Sequence, residues 1–323
     1  MTNFPTLDPE FAAAVTMLPN VDFGDLPSTR STYEALVGSA LADLSMDGVS
    51  LRELAVPGSD GAPDVGVRLF TPEHSEVPLP VLMWIHGGGF VCGTAASSDP
   101  FCVDVVRGLG VAVASVEYRL APETPFPGPV DDCYAALTYV HSHADELGVD
   151  PTQIAVGGQS AGGGLAAGTV LRARDEGVVP VAFQLLDIPE LDDRLTTVSM
   201  TEFVDTPMWN RPNAILSWQH YLGESYNGPD DPNVSIYAAP ARATDLTGLP
   251  PTYVSTMELD PLRDEGIDYA MRLLQAGVSV ELHSFPGTFH GSSLMTSAEV
   301  SKRGHAETLD VLRRGLRLRV PAS

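Results

Sequence analysis

Ser160 lies in Gly158-Gln159-Ser160-Ala161-Gly162, after the apolar run Ile154-Ala155-Val156 and before Gly163-Gly164-Leu165-Ala166-Ala167. That order reads as a strand, a very tight turn and a helix. A serine at such a corner takes a strained backbone and projects its hydroxyl. Residues two before and two after the corner approach each other, so both must lack bulk, and both are glycine. The hydroxyl would stand close to a helix N-terminus, where N–H groups favour negative charge. A glycine-rich turn can instead hold a phosphate or dinucleotide. This one fits neither GxGxxG nor GxxxxGK followed by Ser or Thr.

A second segment, His86-Gly87-Gly88-Gly89-Phe90, directly follows the apolar run ending at Ile85. Three glycines let the backbone come close to a bound group and leave N–H donors free. With Ala161, Gly87 and Gly88 form the natural set to receive the oxygen of a tetrahedral intermediate. His86 is expected to hold this loop rather than to act as a base. The base is instead expected at His290, in Phe285-Pro286-Gly287-Thr288-Phe289-His290-Gly291, on a loop after the last apolar run. The acid that orients it should fall between nucleophile and base in the chain. Asp260, in Glu258-Leu259-Asp260-Pro261, is the choice, with Glu258 and Asp264 as alternates. Ser160, Asp260 and His290 would then carry acyl transfer, with activity falling as acid protonates His290. His141 and His143 have ligand-like spacing but no third partner, so no metal is expected, and the chemistry requires no cofactor.

These residues need elements to position them. Pro80–Ile85, Val111–Val116, Ile154–Val156, Ala182–Leu186, Thr252–Ser255 and Val278–Leu282 are nearly continuous apolar or β-branched runs, which suit strands covered on both faces. Ser50–Leu54 and Gly66–Phe70 alternate, as half-buried antiparallel strands would. Helix-length segments such as 131–147 and 264–275 lie between the runs, so a mostly parallel α/β sheet is expected. Residues 1–50 read as helical, with Phe11, Val15, Met17 and Leu18 in one apolar group. Tyr33, Leu36, Val37, Leu41 and Leu44 form a second, and Pro5, Pro19 and Pro27 punctuate them. Residues 190–235 interrupt the alternation with an aromatic-rich insertion. The expected domains are a core of 51–189 and 236–323, capped by 1–50 and 190–235. Trp209 is expected to touch substrate.

The chain's 323 residues carry 42 acidic and 18 basic side chains, a net charge of −24. Nucleic acid and anionic membrane would both be repelled. The charged fraction is 19% and the hydrophobic fraction 44%, which fits a packed globular interior. Cys92, Cys102 and Cys133 are few, odd in number and lack CxxC spacing. They are expected to be reduced thiols in a cytoplasmic protein. The first eight residues lack a secretory pattern, and no apolar run is long enough to span a membrane.

From about residue 50 onward the chain resembles the hormone-sensitive-lipase-like family of bacterial carboxylesterases. The resemblance rests on His86-Gly87-Gly88-Gly89-Phe90, Tyr118-Arg119-Leu120-Ala121-Pro122-Glu123, Phe126-Pro127, Asp131, Gly158–Gly164, Asp260–Glu265 and His290-Gly291. It implies an α/β-hydrolase fold with an eight-stranded sheet, a helical cap, and short-chain acyl esters of aryl or alkyl alcohols as substrates. It also implies that Arg119 and Glu123 anchor a loop. A homodimer through the last strand, Val278–Phe285, is a further expectation. Two departures stand out: Gln159 replaces the Asp usual before the nucleophile, and Glu117 replaces the Asp usual before Tyr118. An amidase or lactonase could use the same triad, and a non-catalytic receptor would have lost part of it.

Overall fold

In the computed structural model, which describes residues 6–19, 21–75 and 78–318, the apolar runs become strands of one eight-stranded sheet, inner ones except for the last, which forms the edge strand Val280–Phe285 and is mostly exposed rather than covered on both faces. The strands are β1 (Val49–Val56), β2 (Val65–Pro72), β3 (Leu79–Ile85), β4 (Ala112–Glu117), β5 (Val149–Gln159), β6 (Phe183–Asp187), β7 (Thr252–Met257) and β8 (Val280–Phe285). Their order in space is β1-β2-β4-β3-β5-β6-β7-β8. β1 with β2 and β2 with β4 are antiparallel; all other neighbours are parallel. β3, β4 and β7 are almost wholly buried, which is why they read as unbroken apolar runs.

Successive side chains of a strand point to opposite faces. Leu82, Trp84 and Leu185 therefore belong to one core, and Met83, Ile85 and Leu186 to the other. Asp99–Leu109 and Glu299–Gly315 contribute to the first core. Gly128–Ser142, Ala161–Glu176 and Arg263–Gln275 contribute to the second. Parallel β3, β5, β7 and β8 all end at the same edge of the sheet. The glycine loop, Ser160, Asp260 and His290 each follow one of those ends, the usual site of chemistry in such sheets.

Two outer regions depart from their patterns. Ser50–Glu53 are exposed, because β1 is the outermost strand. The amino-terminal part is also less helical than its spacing predicts. Pro9–Phe11 is a 3₁₀ turn leading into the single turn Ala12–Val15, and a longer helix follows at Leu26–Leu41. Met17, in the stretch before this helix, is 84% exposed, and Leu36, on the helix, is 43% exposed because the helix lies on the outside and packs Leu26 and Tyr33 against the core. Pro5 and the residues before it lie outside the described residues.

Residues 190–235 contain the helices Val198–Glu202 and Arg211–Leu222. Asn210 caps the second, its Oδ1 accepting the Asn213 N–H at 3.1 Å, with Pro212 in the first turn. Among the described residues, no helix is long and apolar enough to cross a membrane.

Candidate active site

Ser160 is where β5 turns into the helix Ala161–Glu176, with φ 58° and ψ −123°. A methyl group at Gly158 would overlap the Gly162 carbonyl oxygen, and one at Gly162 would overlap the carbonyls of Ile85 and His86. The turn can close only with glycine at both places. The corner is fixed by its neighbours. Ser160 N–H donates to the Asp187 carbonyl at 2.8 Å, while the Ser160 carbonyl accepts from Glu190 N–H at 3.0 Å and Gly164 N–H at 3.1 Å.

Ser160 Oγ lies 2.9 Å from His290 Nε2, and His290 Nδ1 lies 2.7 Å from Asp260 Oδ2. All three side chains are buried. An ionised carboxylate can only accept, so Asp260 fixes the proton on Nδ1 and leaves Nε2 free to accept from Ser160. The other Asp260 oxygen accepts from Leu262 N–H at 2.9 Å, a turn made by Pro261 just past β7. The alternates are engaged elsewhere. Glu258 accepts from Gly287 N–H at 2.6 Å and braces the histidine loop. Asp264 accepts from Ser199 N–H and pairs with Arg263. The histidine loop is also held by Asp8 N–H, which donates to the Gly287 carbonyl at 2.9 Å, and by Phe11 edge-on to Phe289.

The glycine loop passes beside this line. A methyl group at Gly87 would come within 2.9 Å of the Gln159 carbonyl oxygen and 3.3 Å of Ser160 Cβ. Among the described residues, none accepts a hydrogen bond from the N–H of Gly87, Gly88 or Ala161. His86 is fully buried, its Nδ1 2.8 Å from the Gly87 carbonyl oxygen and its ring stacked on Tyr118. Burial lowers its pKa to about 4, so it stays neutral and supports the loop. Tyr118 Oη donates to the His86 carbonyl at 3.0 Å.

Trp209 is buried, with its ring centroid 5.6 Å from that of His290 and 5.3 Å from Phe23. Gln159 Nε2 donates to Asp187 Oδ2 at 2.7 Å, directly across the β5–β6 register. Asp187 also accepts from Ser255 Oγ, and burial pushes its pKa up. A neutral Gln159 is thus the natural neighbour for that carboxylate. The Glu190 carboxyl is fully buried beside Ser217, and burial raises its pKa to about 8. Cys92, Cys102 and Cys133 are free and buried, and burial raises the pKa of each thiol, which makes them poor nucleophiles. Phe23, Asp187 and Glu190 escape sequence reasoning. None sits in a motif, and each meets the site only through tertiary packing.

The arrangement can deprotonate a hydroxyl and receive an oxyanion beside it. Comparison with known proteins gives the same direction. A family model described as the alpha/beta hydrolase fold matches residues 82–294. The chain is 43% identical over 236 residues to the carboxylesterase NlhH of Mycobacterium tuberculosis, covering 72% of this chain and 73% of that one. Among solved structures it is similar to a bacterial heroin esterase, with a TM-score of 0.97 and 77% identity over 98% of this chain and all of that one. Esterase LipW from Mycobacterium marinum follows at TM-score 0.86 and 38% identity, over 96% of each chain. With its sheet order, its nucleophile turn and these relatives, the chain belongs to the hormone-sensitive-lipase-like esterases of the α/β-hydrolase fold.

Proposed function

We propose that this protein hydrolyses short-chain carboxylic esters of aryl or alkyl alcohols, acetyl esters foremost, through an acyl-enzyme on Ser160. The observation that carries this reading is the hydrogen-bonded line from Ser160 Oγ through His290 to Asp260, with links of 2.9 and 2.7 Å. His290 Nε2 takes the hydroxyl proton as Ser160 Oγ attacks the ester carbonyl. Asp260 keeps the imidazole in the needed tautomer and stabilises its cation. The N–H groups of Gly87, Gly88 and Ala161 receive the oxyanion; one such donor contributes roughly 3–4 kcal/mol to the transition state. His290 then protonates the departing alcohol, and water attacks the acyl-enzyme by the same route. Similarity to a carboxylesterase and to a bacterial heroin esterase supports this reaction class.

In this reading, residues 1–50 and 190–235 form a cap over the core of 51–189 and 236–323, and Trp209 borders the bound ester. The partner is a small-molecule ester, met in the cytoplasm. The acidic surface disfavours nucleic acid and anionic membrane. β8 pairs only with β7 among the described residues, which supports a homodimer through that edge. Light scattering tests this, and a monomer rejects it.

The deciding experiment is hydrolysis of aryl esters from acetyl to decanoyl by the wild type and Ser160→Ala. Strong turnover of acetyl and butyryl esters, lost in the variant, is expected. A folded wild type that turns over no ester overturns the reading and directs the search to amides and lactones.

A further inference from the structure

Two segments far apart in the chain meet on one residue of the glycine loop. The Phe23 ring lies so close to Gly89 that a methyl group there would overlap it, and Trp209 closes the same spot at 3.0 Å. The Gly89 carbonyl accepts from Ser217 Oγ at 3.0 Å, on the inserted helix Arg211–Leu222. Phe23 is only 3% exposed although it lies outside any helix or strand.

What holds Phe23 is Asn213, on that same inserted helix. Phe23 N–H donates to Asn213 Oδ1 at 3.1 Å across 190 residues of sequence, and Asn213 Nδ2 donates to the Val21 carbonyl at 2.8 Å. His220 Nε2 stands 3.2 Å from the Phe23 carbonyl oxygen. A buried amide spent on two main-chain groups of one segment fixes that segment, because losing it strands both groups.

Acyl-transfer geometry says which end of an ester faces this wall. The leaving oxygen takes its proton from His290, so the alcohol lies on the His290 side. The acyl chain leaves the carbonyl carbon on the side away from the alcohol. We propose that it runs along the glycine loop toward Gly89, that Phe23 is the end wall of this acyl pocket and sets acyl-chain length, and that Asn213 is the residue that positions Phe23. This inference rests on the esterase reading above and deepens it: the substrates are esters whose acyl chain ends before the Phe23 ring.

The test compares kcat/KM on aryl acetate, butyrate and octanoate for wild type, Phe23→Ala, Phe23→Trp and Asn213→Ala. Phe23→Ala is expected to raise the octanoate-to-acetate ratio by about tenfold or more, since a single methylene admitted to an apolar pocket is worth about that much. Phe23→Trp is expected to lower the butyrate-to-acetate ratio. Asn213→Ala is expected to shift the profile as Phe23→Ala does, by less. A merely structural role for either residue would scale all three esters alike. A ratio within about threefold of wild type in folded Phe23→Ala overturns the inference, and any larger rise supports it. If Phe23→Ala does not fold, Phe23→Leu and Phe23→Trp give the same readout. Absence of wild-type turnover on every ester would sink the esterase reading instead, whereas an unchanged profile with acetate turnover intact sinks only this inference.

Discussion

Ser160 is held at φ 58° by main-chain bonds to Asp187, Glu190 and Gly164. The strain there is maintained by the whole turn, so the side chain itself is replaceable without refolding. Ser160→Ala should lose about 10⁵–10⁶ in turnover while remaining folded, which kinetics beside a thermal melt would check. Near-wild-type turnover would remove Ser160 as nucleophile. Glu190 makes a second, independent prediction. Burial lifts its pKa from 4.5 to about 8, so the fold keeps it protonated where an unfolded chain would ionise it. The stability it contributes is complete below about pH 4.5 and is lost as pH rises to about 8. Glu190→Gln keeps the shape and removes the titration. Its melting temperature should gain on wild type by several degrees between pH 5 and pH 8.5. A difference that does not change with pH would mean that the carboxyl is ionised throughout. Ser160 and His290 were legible because local glycine and aromatic neighbours mark them, and Asp260 because an Asp-Pro turn ends a strand. Asn213 was not, since nothing near it announces a bond to Phe23.

Among the elements, the nucleophile turn is the least forgiving. Gly158→Ala would drive a methyl group into the Gly162 carbonyl, backbone against backbone. The expected cost is about 3 kcal/mol, with turnover reduced as Ser160 shifts; a melt and a kinetic assay read both. The loop after β4 is held by charge. Arg119 pairs with Asp132 at 2.7 Å, and Glu123 takes both ends of Arg30 at 2.7 Å. Arg30 also donates to the Val91 and Ala121 carbonyls, so one side chain ties Leu26–Leu41 to the stretch after the glycine loop. Arg30→Ala should speed hydrogen exchange in Leu26–Leu41 and leave the inner strands protected; uniform protection would show that the helix is held by other contacts. Inner strands were legible because burial on both faces forces apolar runs. The outer parts were not. β1 alternates polar and apolar residues yet is mostly exposed, and the apolar spacing of Tyr33, Leu36, Val37 and Leu41 marked a helix at Leu26–Leu41 but not its buried stripe, since Tyr33 packs against the core while Leu36 is exposed.

At the scale of the molecule, a net charge of −24 means self-repulsion that salt should relieve. The melting temperature should rise by several degrees between low salt and about 0.5 M sodium chloride, where the screening length falls to a few ångströms. A flat response would mean that the acidic groups lie too far apart to interact. Fold class was legible at this scale from alternating strand and helix. The meeting of residues 21–23 with 210–220 over Gly89 was not, because only the folded chain brings them together. That meeting has a consequence for how the protein is made. Synthesis delivers Phe23 first, then Ser160, and His290 after both. The Asp8–Gly287 bond joins the two ends of that sequence. A polypeptide still on the ribosome therefore carries Ser160 through the 130 residues that precede His290 without the imidazole that would accept its proton. A product cut short before residue 290 would lack the proposed base and, with it, the proposed chemistry.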